Sequence, residues 1–280
     1  MKFDESFLKR KTAELRLSIV EMITKAGSGH PGGSLSAVDL LAVLYYCVMN
    51  IRPENPKWEN RDRFILSKGH AAPAIYSILS DIGFFPKKEL STLRRIGSIL
   101  QGHPDMRRVP GIDISTGSLG QGLSVAVGMA IAGKLDKKNY GVYALLGDGE
   151  LQEGQVWEAA MAASHYKLDN LMIAVDNNGL QIDGRLEEVM SPYPIEDKFR
   201  AFGWKTRPID GHNFSEIFDA WEWARSSNDG KPSAIIAKTV KGKGVYFMEN
   251  VVDFHGKAPT KEEGKDASVK LKEALDKMNP

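Results

Sequence analysis

The chain has 280 residues with 37 basic and 36 acidic side chains, a formal charge of +1 that gives no electrostatic reason to expect nucleic acid or an anionic membrane surface. That length suits one large domain or two small ones, and a single cysteine, Cys47, excludes an intrachain disulfide framework and agrees with a reducing compartment. The charged opening Met1–Lys11 lacks the apolar core of a signal peptide, and the longest apolar run, Leu40–Met49, is too short to cross a bilayer, so a cytoplasmic chain away from membranes is expected.

In chain order, Leu8, Thr12, Leu15, Ile19, Met22 and Ala26 mark one face of a first helix over Asp4–Ala26, ended by Gly27. Gly27–Gly33 holds four glycines and a proline around His30 and reads as non-helical loop. Ser36 with Asp39 resembles a capping box opening a second helix through Met49. Arg52–Trp58 is an exposed turn, Arg63–Leu66 a short strand, and Ala71–Ile82 a helix with Pro73 in its first turn. A charged helix precedes Gly102-His103-Pro104, Pro110–Gly122 is a glycine-rich loop, and Leu123–Leu135 is a small, apolar, buried helix. After the central unit described next, Gly203–Pro208 and Asp210-Gly211-His212 lead into a helix over Phe214–Ser226. Ser233–Lys238 is a last strand, Lys241–Asn250 a glycine- and lysine-rich loop, and Glu262–Met278 a polar terminal helix. With no repeat, linker or boundary, strands alternating with helices predict one α/β domain over residues 1–280, its sheet mostly parallel with helices on both faces.

The most informative stretch is Val142–Gly184. Val142–Leu146 and Leu171–Val175 are apolar strands flanking a helix marked by Val156, Ala160 and Ala163. This is a βαβ unit with parallel strands. Asp148 and Asn178 then lie just past the carboxyl ends of their strands, where open α/β sheets bind ligands. A carboxylate, an amide oxygen and a nearby carbonyl suit Mg²⁺, which borrows further oxygens from a phosphate. The amino end of the following helix favours an anion at the same place. The unit therefore predicts a divalent metal holding a phosphorylated ligand.

Gly128–Lys134 imitates a phosphate loop, but Leu135 replaces the required hydroxyl residue and the segment lies within a helix. No GxGxxG follows a strand. Five of the six histidines, His30, His70, His103, His212 and His255, adjoin a glycine, which lets backbone approach a ligand while the imidazole handles a proton. His165 falls on a helix and reads as structural. Zinc is a rival use of the others, but spacings of 40, 33 and 152 residues between His30, His70, His103 and His255 contain no local ligand pair.

GDG followed by thirty residues from Asp148 to Asn178 resembles the thiamine-diphosphate motif, and its surroundings resemble transketolase. The matching segments are Ser28–Gly33, Ser67–Ala71, Gly102–Asp105, Thr116–Gly122, Gly147–Gly154, Asp176–Gly184 and Phe254–Pro259, in the family's order across most of the chain. The resemblance covers the diphosphate-binding half. The half that binds the aminopyrimidine is absent, along with the glutamate that activates the cofactor and the arginines and serine that grip a sugar phosphate. It implies that Asp148, Asn178 and the Leu180 carbonyl hold Mg²⁺, or another divalent cation such as Ca²⁺ or Mn²⁺, against the diphosphate, with Gly149 meeting a phosphate oxygen. His70 and His255 would flank the diphosphate and thiazolium, Gly117 and Leu119 would pack over the cofactor's rings, and His30, His103 and His255 would serve the sugar and its proton transfers. Glu153 matches an acid near the subunit interface, and Asp210-Gly211-His212 recurs without a direct role. Ser118 stands where proline is common, which loosens the turn without changing the chemistry.

The resemblance implies an N-terminal subunit that moves a two-carbon ketol unit from a ketose to an aldose, phosphorylated or not. The active form would be a heterotetramer of two such chains with two C-terminal, pyrimidine-binding subunits. The alternatives are a related enzyme acting on a non-standard sugar and a non-catalytic interaction subunit. SGHPGG with GHPD argues against a deoxyxylulose-phosphate synthase, and the intact Asp148/Asn178 pair argues against a non-catalytic role.

Overall fold

Helix α1 (Glu5–Ala26) begins where the Asp4 carboxylate accepts from the Phe7 N–H and ends at Gly27, whose φ of 64° supplies the left-handed cap. The computed structural model describes residues 3–226 and 228–278; the other positions of the expected 1–280 domain lie outside the described residues. Helix α2 (Pro31–Val43) starts earlier than the glycines suggest, with Pro31 at its first position and His30 as N-cap, and runs on through a π-helical turn, Leu44–Val48. Ser36 and Asp39 are therefore not a capping box. They are buried mid-helix, where Ser36 Oγ donates to Asp176 at 2.6 Å and Asp39 accepts from Arg16 at 2.6 Å. The glycines serve close approach, since a Cβ on Gly32 would stand 2.8 Å from the Phe254 carbonyl oxygen. Pro31–Val48 is long and apolar enough to cross a membrane by length and composition, further than the ten-residue run suggests, but 89% of it is buried inside the protein.

The chain continues through β1 (Arg63–Leu66), α3 (Ala72–Asp81), α4 (Gln121–Leu135), β2 (Val142–Gly147), α5 (Gly154–His165) and β3 (Leu171–Asn177). It then forms a small hairpin, β4 (Leu180–Gln181) and β5 (Gly184–Arg185), followed by α6 (Leu186–Val189), α7 (Ile195–Ala201), β6 (Lys205–Asp210), α8 (Phe214–Arg225), β7 (Ser233–Lys238) and α9 (Lys261–Asp276). The charged helix expected before Gly102 is only a 3₁₀ stretch, Lys87–Thr92.

Five strands form a parallel sheet in the order β1-β2-β3-β7-β6. Alternation along the strands builds two cores. Phe64, Leu66, Tyr143, Leu145, Met172 and Ala174 face α1, α2, α3 and α8, whereas Ile65, Val142, Ala144, Leu146, Ile173 and Val175 face α4, α5 and α7. Strand β6, KTRPID, has no apolar signature in the sequence because it is an edge strand, paired among the described residues only with β7, and there Pro208 is tolerated. Helix α4 is not wholly buried as expected: its sheet side is covered, while Leu135 is 76% exposed.

The start of α4 lies against the loop after β1. A Cβ on Gly122 would stand 2.3 Å from Ser67 Oγ and 2.7 Å from its Cα. Alanine in a helix interior normally gains about 1 kcal/mol over glycine, but here the crowding should win, so Gly122→Ala should destabilise by about 1–3 kcal/mol. A thermal midpoint equal to or above that of the parent would show that this contact is not close.

Candidate functional site

The carboxyl ends of β1, β2, β3 and β7 frame a cavity of about 180 Å³ lined by Lys68, His70, Leu119, Asp148, Gly149, Asn178, Leu180, Lys241 and His255, among others. Asp148 follows β2, and its two oxygens accept from the N–H groups of Gly149 at 2.9 Å and Gly179 at 2.6 Å. Asn178 and Leu180 follow β3, with Asn178 Oδ1 accepting from the Leu180 N–H at 3.2 Å. The Leu180 carbonyl already faces a cation: Lys241 Nζ donates to it at 3.0 Å. A 3₁₀ turn, Gly149–Gln152, intervenes before α5, so the helix's amino end reaches the pocket only at its rim, through Glu153.

The electrostatics explain what this pocket can hold. Burial, then repulsion from Asp176, pushes the Asp148 carboxyl up to about 6. Burial, then Lys68, pulls the Lys241 ammonium down to about 8. Lys241 is 2% exposed and donates to a neutral carbonyl and a neutral imidazole rather than to a carboxylate. A divalent cation would relieve Asp148, and phosphate oxygens would relieve Lys241. Among the described residues no group of three or more His, Cys, Asp or Glu could hold a metal, so a cation here would depend on one carboxylate, an amide and a carbonyl, the donor set of a hard cation completed by phosphate oxygens. The residues present therefore fit a metal-bound diphosphate.

The histidines converge from four segments far apart in sequence. His30 lies 5.3 Å from His70, 6.4 Å from His103 and 5.8 Å from His255, ring centre to ring centre, and His70 lies 5.0 Å from His255. Burial, then the Arg94 charge, pulls His30 down to about 4; burial, then Lys241, pulls His255 down to about 3. His70 and His103 shift downward too, chiefly through burial. The imidazoles are thus neutral at pH 7, each able to donate one hydrogen bond and accept another without carrying charge. Gly117, like His30 and His103, lies outside the cavity lining. It borders an adjoining groove with His103, whose Cγ would be 3.1 Å from a Cβ on Gly117.

His212 stands apart as an anchor. Its Nδ1 donates to Asp39 at 2.8 Å, and its Nε2 accepts from the Val240 N–H at 2.9 Å, fixing the loop that carries Lys241. His165 is exposed at the end of α5, and Cys47 is half-buried against the core. Sequence reasoning missed Lys68, Lys241, Asp176 and Glu150. Lys68 pairs with Asp176 at 2.5 Å with both side chains buried, and Glu150 accepts from Ser67 and from the N–H groups of Gly120 and Gly147 at 3.0 Å. The one available signal was position: Lys68 stands two residues before His70, and Asp176 two before Asn178.

A parallel sheet with oxygen donors, buried lysines and neutral histidines at its carboxyl end defines an α/β domain for a phosphorylated coenzyme. A family model described as transketolase, thiamine diphosphate binding domain, matches residues 8–277, and the chain belongs to that family. It is 48% identical over 264 residues to the 6-deoxy-6-sulfo-D-fructose transketolase subunit SqwG of Clostridium sp. (strain MSTE9), covering 94% of this chain and 96% of that one. It is 44% identical over 271 residues to an apulose-4-phosphate transketolase subunit of Phocaeicola vulgatus, covering 97% and 96%. Human transketolase is 46% identical over 253 residues, 89% of this chain but 40% of its own length. The solved transketolase of Campylobacter jejuni superimposes with a TM-score of 0.91 at 35% identity, over 98% of this chain and 43% of that one. The chain thus spans the subunit-length relatives and about two fifths of the single-chain ones.

Protons compete for Asp148. With its carboxyl at about 6, cation binding should be insensitive to pH above about 7 and weaken about tenfold per unit below 6, as the ligand protonates. Calorimetry of Mg²⁺ with thiamine diphosphate at about pH 7.5 and 5 measures this; equal affinity at both would remove Asp148 from the metal.

Proposed function

We propose that this chain is the diphosphate-binding subunit of a transketolase divided between two polypeptides and dependent on thiamine diphosphate and a divalent cation such as Mg²⁺. One observation carries the reading: loops far apart in sequence bring a carboxylate, an amide, a carbonyl, a buried lysine and neutral histidines around one cavity. Asp148, Asn178 and the Leu180 carbonyl would hold the cation. Gly149 and Lys241 would meet diphosphate oxygens, His70 and His255 would flank them, and Leu119 would pack on the cofactor's rings, with Gly117 seating the His103 ring beside them. When bound, thiamine diphosphate supplies the carbon nucleophile and electron sink for moving a two-carbon ketol unit from a ketose to an aldose. His30, His103 and His255 would orient the sugar's oxygens through hydrogen bonds and serve its proton transfers.

Relatives named as subunits and matched over 96% of their length support a separate partner. That partner, the pyrimidine-binding chain, would complete the cofactor's other end in a heterotetramer of two of each. A second reading concerns the sugar: the same two relatives are named for 6-deoxy-6-sulfo-D-fructose and apulose 4-phosphate, which favours a non-standard donor over a common pentose phosphate. Assay of the reconstituted complex with xylulose 5-phosphate, 6-deoxy-6-sulfofructose and apulose 4-phosphate separates the two.

The purified chain alone should show no ketol transfer, and the co-purified pair should. Appreciable turnover without a partner would overturn the divided-enzyme reading. Asp148→Ala should abolish metal-dependent cofactor binding. His30→Ala and His103→Ala should lower kcat by about 10²–10⁴-fold while largely sparing cofactor affinity; equal loss of cofactor binding in both would reverse this division of roles.

A further inference from the structure

Arg94 belongs to none of the motifs, yet its side chain reaches into the histidine cluster. Its backbone is in the left-handed region at φ 59°, uncommon for a non-glycine residue, and its N–H donates to the Leu100 carbonyl at 2.8 Å. The guanidinium lies over Gly102, where a Cβ would stand 2.8 Å from Arg94 Cζ and would push the guanidinium aside. Its Nη1 donates to Ser28 Oγ at 3.1 Å, and its Nη2 lies 3.4 Å from His30 Nδ1.

The last contact has a single polarity. A guanidinium has five N–H donors, no acceptor, and is not deprotonated in proteins. His30 Nδ1 must therefore offer its lone pair, which leaves the ring proton on Nε2. That edge faces the loop ending in His255: a Cβ on Gly256 would lie 3.7 Å from Nε2. The same geometry recurs at His255, whose Nδ1 lies 2.9 Å from the Lys241 ammonium.

The geometry points to Arg94 as a positioning residue that holds His30 in one tautomer, with the proton on Nε2, so that His30 meets the substrate as a hydrogen-bond donor. The catalytic consequence rests on the transketolase reading; the tautomer does not. The groups facing His30 are Arg94, His70, His103, His255 and Lys241, drawn from five separate segments, and both Arg94 and Lys241 oppose a second proton on its ring.

The test is ¹⁵N NMR of the full chain with labelled histidine rings, the His30 signals assigned by their loss in His30→Gln. The parent should show a protonated Nε2 and a bare Nδ1 from about pH 8 down to about 5. Arg94→Met should give averaged tautomers and a His30 that protonates nearer its ordinary range, and Arg94→Lys, which keeps a cationic donor, should retain the parent pattern. In the reconstituted enzyme Arg94→Met should lower kcat roughly ten- to a hundredfold, the size seen when a metal-bound imidazole loses the partner that orients it, with cofactor affinity kept and Arg94→Lys partly restoring the rate. A parent His30 protonated on Nδ1, or an unchanged tautomer in a folded Arg94→Met, overturns the proposal. If Arg94→Met does not fold, the parent spectrum and Arg94→Lys still decide. Absence of ketol transfer in the parent complex with the tautomer as expected would instead count against the transketolase reading alone.

Discussion

The ion pair between Lys68 and Asp176 holds the site together. Both side chains are buried, and the Asp176 carboxylate also accepts from Ser36 and Thr239. One carboxylate thus ties the loop after β1, the end of β3, the interior of α2 and the loop after β7. Each of these segments carries a site residue within a few positions: His70 beside Lys68, Asn178 beside Asp176, His30 ahead of Ser36, Lys241 beside Thr239. Removing one partner of such a pair leaves an uncompensated buried charge, typically at a cost of about 3–5 kcal/mol. The pair therefore fixes where the neighbouring functional groups can stand.

Around that pair the pocket keeps its charges close to, but not at, mutual satisfaction. Asp148 is an acid held up by burial, and Lys241 a base held down by it. Among the described residues each lacks an opposite charge in direct contact, while Glu150 next to them is fully served by a hydroxyl and two backbone N–H groups. The contrast separates residues that close the structure from residues left open toward a ligand.

Much of this was legible in the sequence where local pattern and tertiary role agree. The β2–α5–β3 unit reads directly because its strands are buried on both faces and its turns carry Asp148 and Asn178. Strand β6 was not legible: as an edge strand it needs no apolar face, and Pro208 suppresses the signal. The start of α2 was hidden because Gly32 and Gly33 read as loop, whereas they admit the Phe254 backbone and the Lys68 and His70 side chains. Lys68 and Lys241 were missed since lysine is ordinarily a surface residue, and the groups that hold them inside lie far along the chain. The histidines were found through their glycines, but their neutrality is a property of the assembled pocket.

The sheet's two borders have a consequence for assembly. On one side β1 contributes only four residues; on the other β6 presents Lys205, Arg207 and a proline that has no N–H to offer. Short, charged or proline-bearing borders discourage another chain from adding its own strand. A companion polypeptide would then dock through side chains rather than by adding a strand. Docking of that kind would leave the sheet as a fixed floor beneath the cavity.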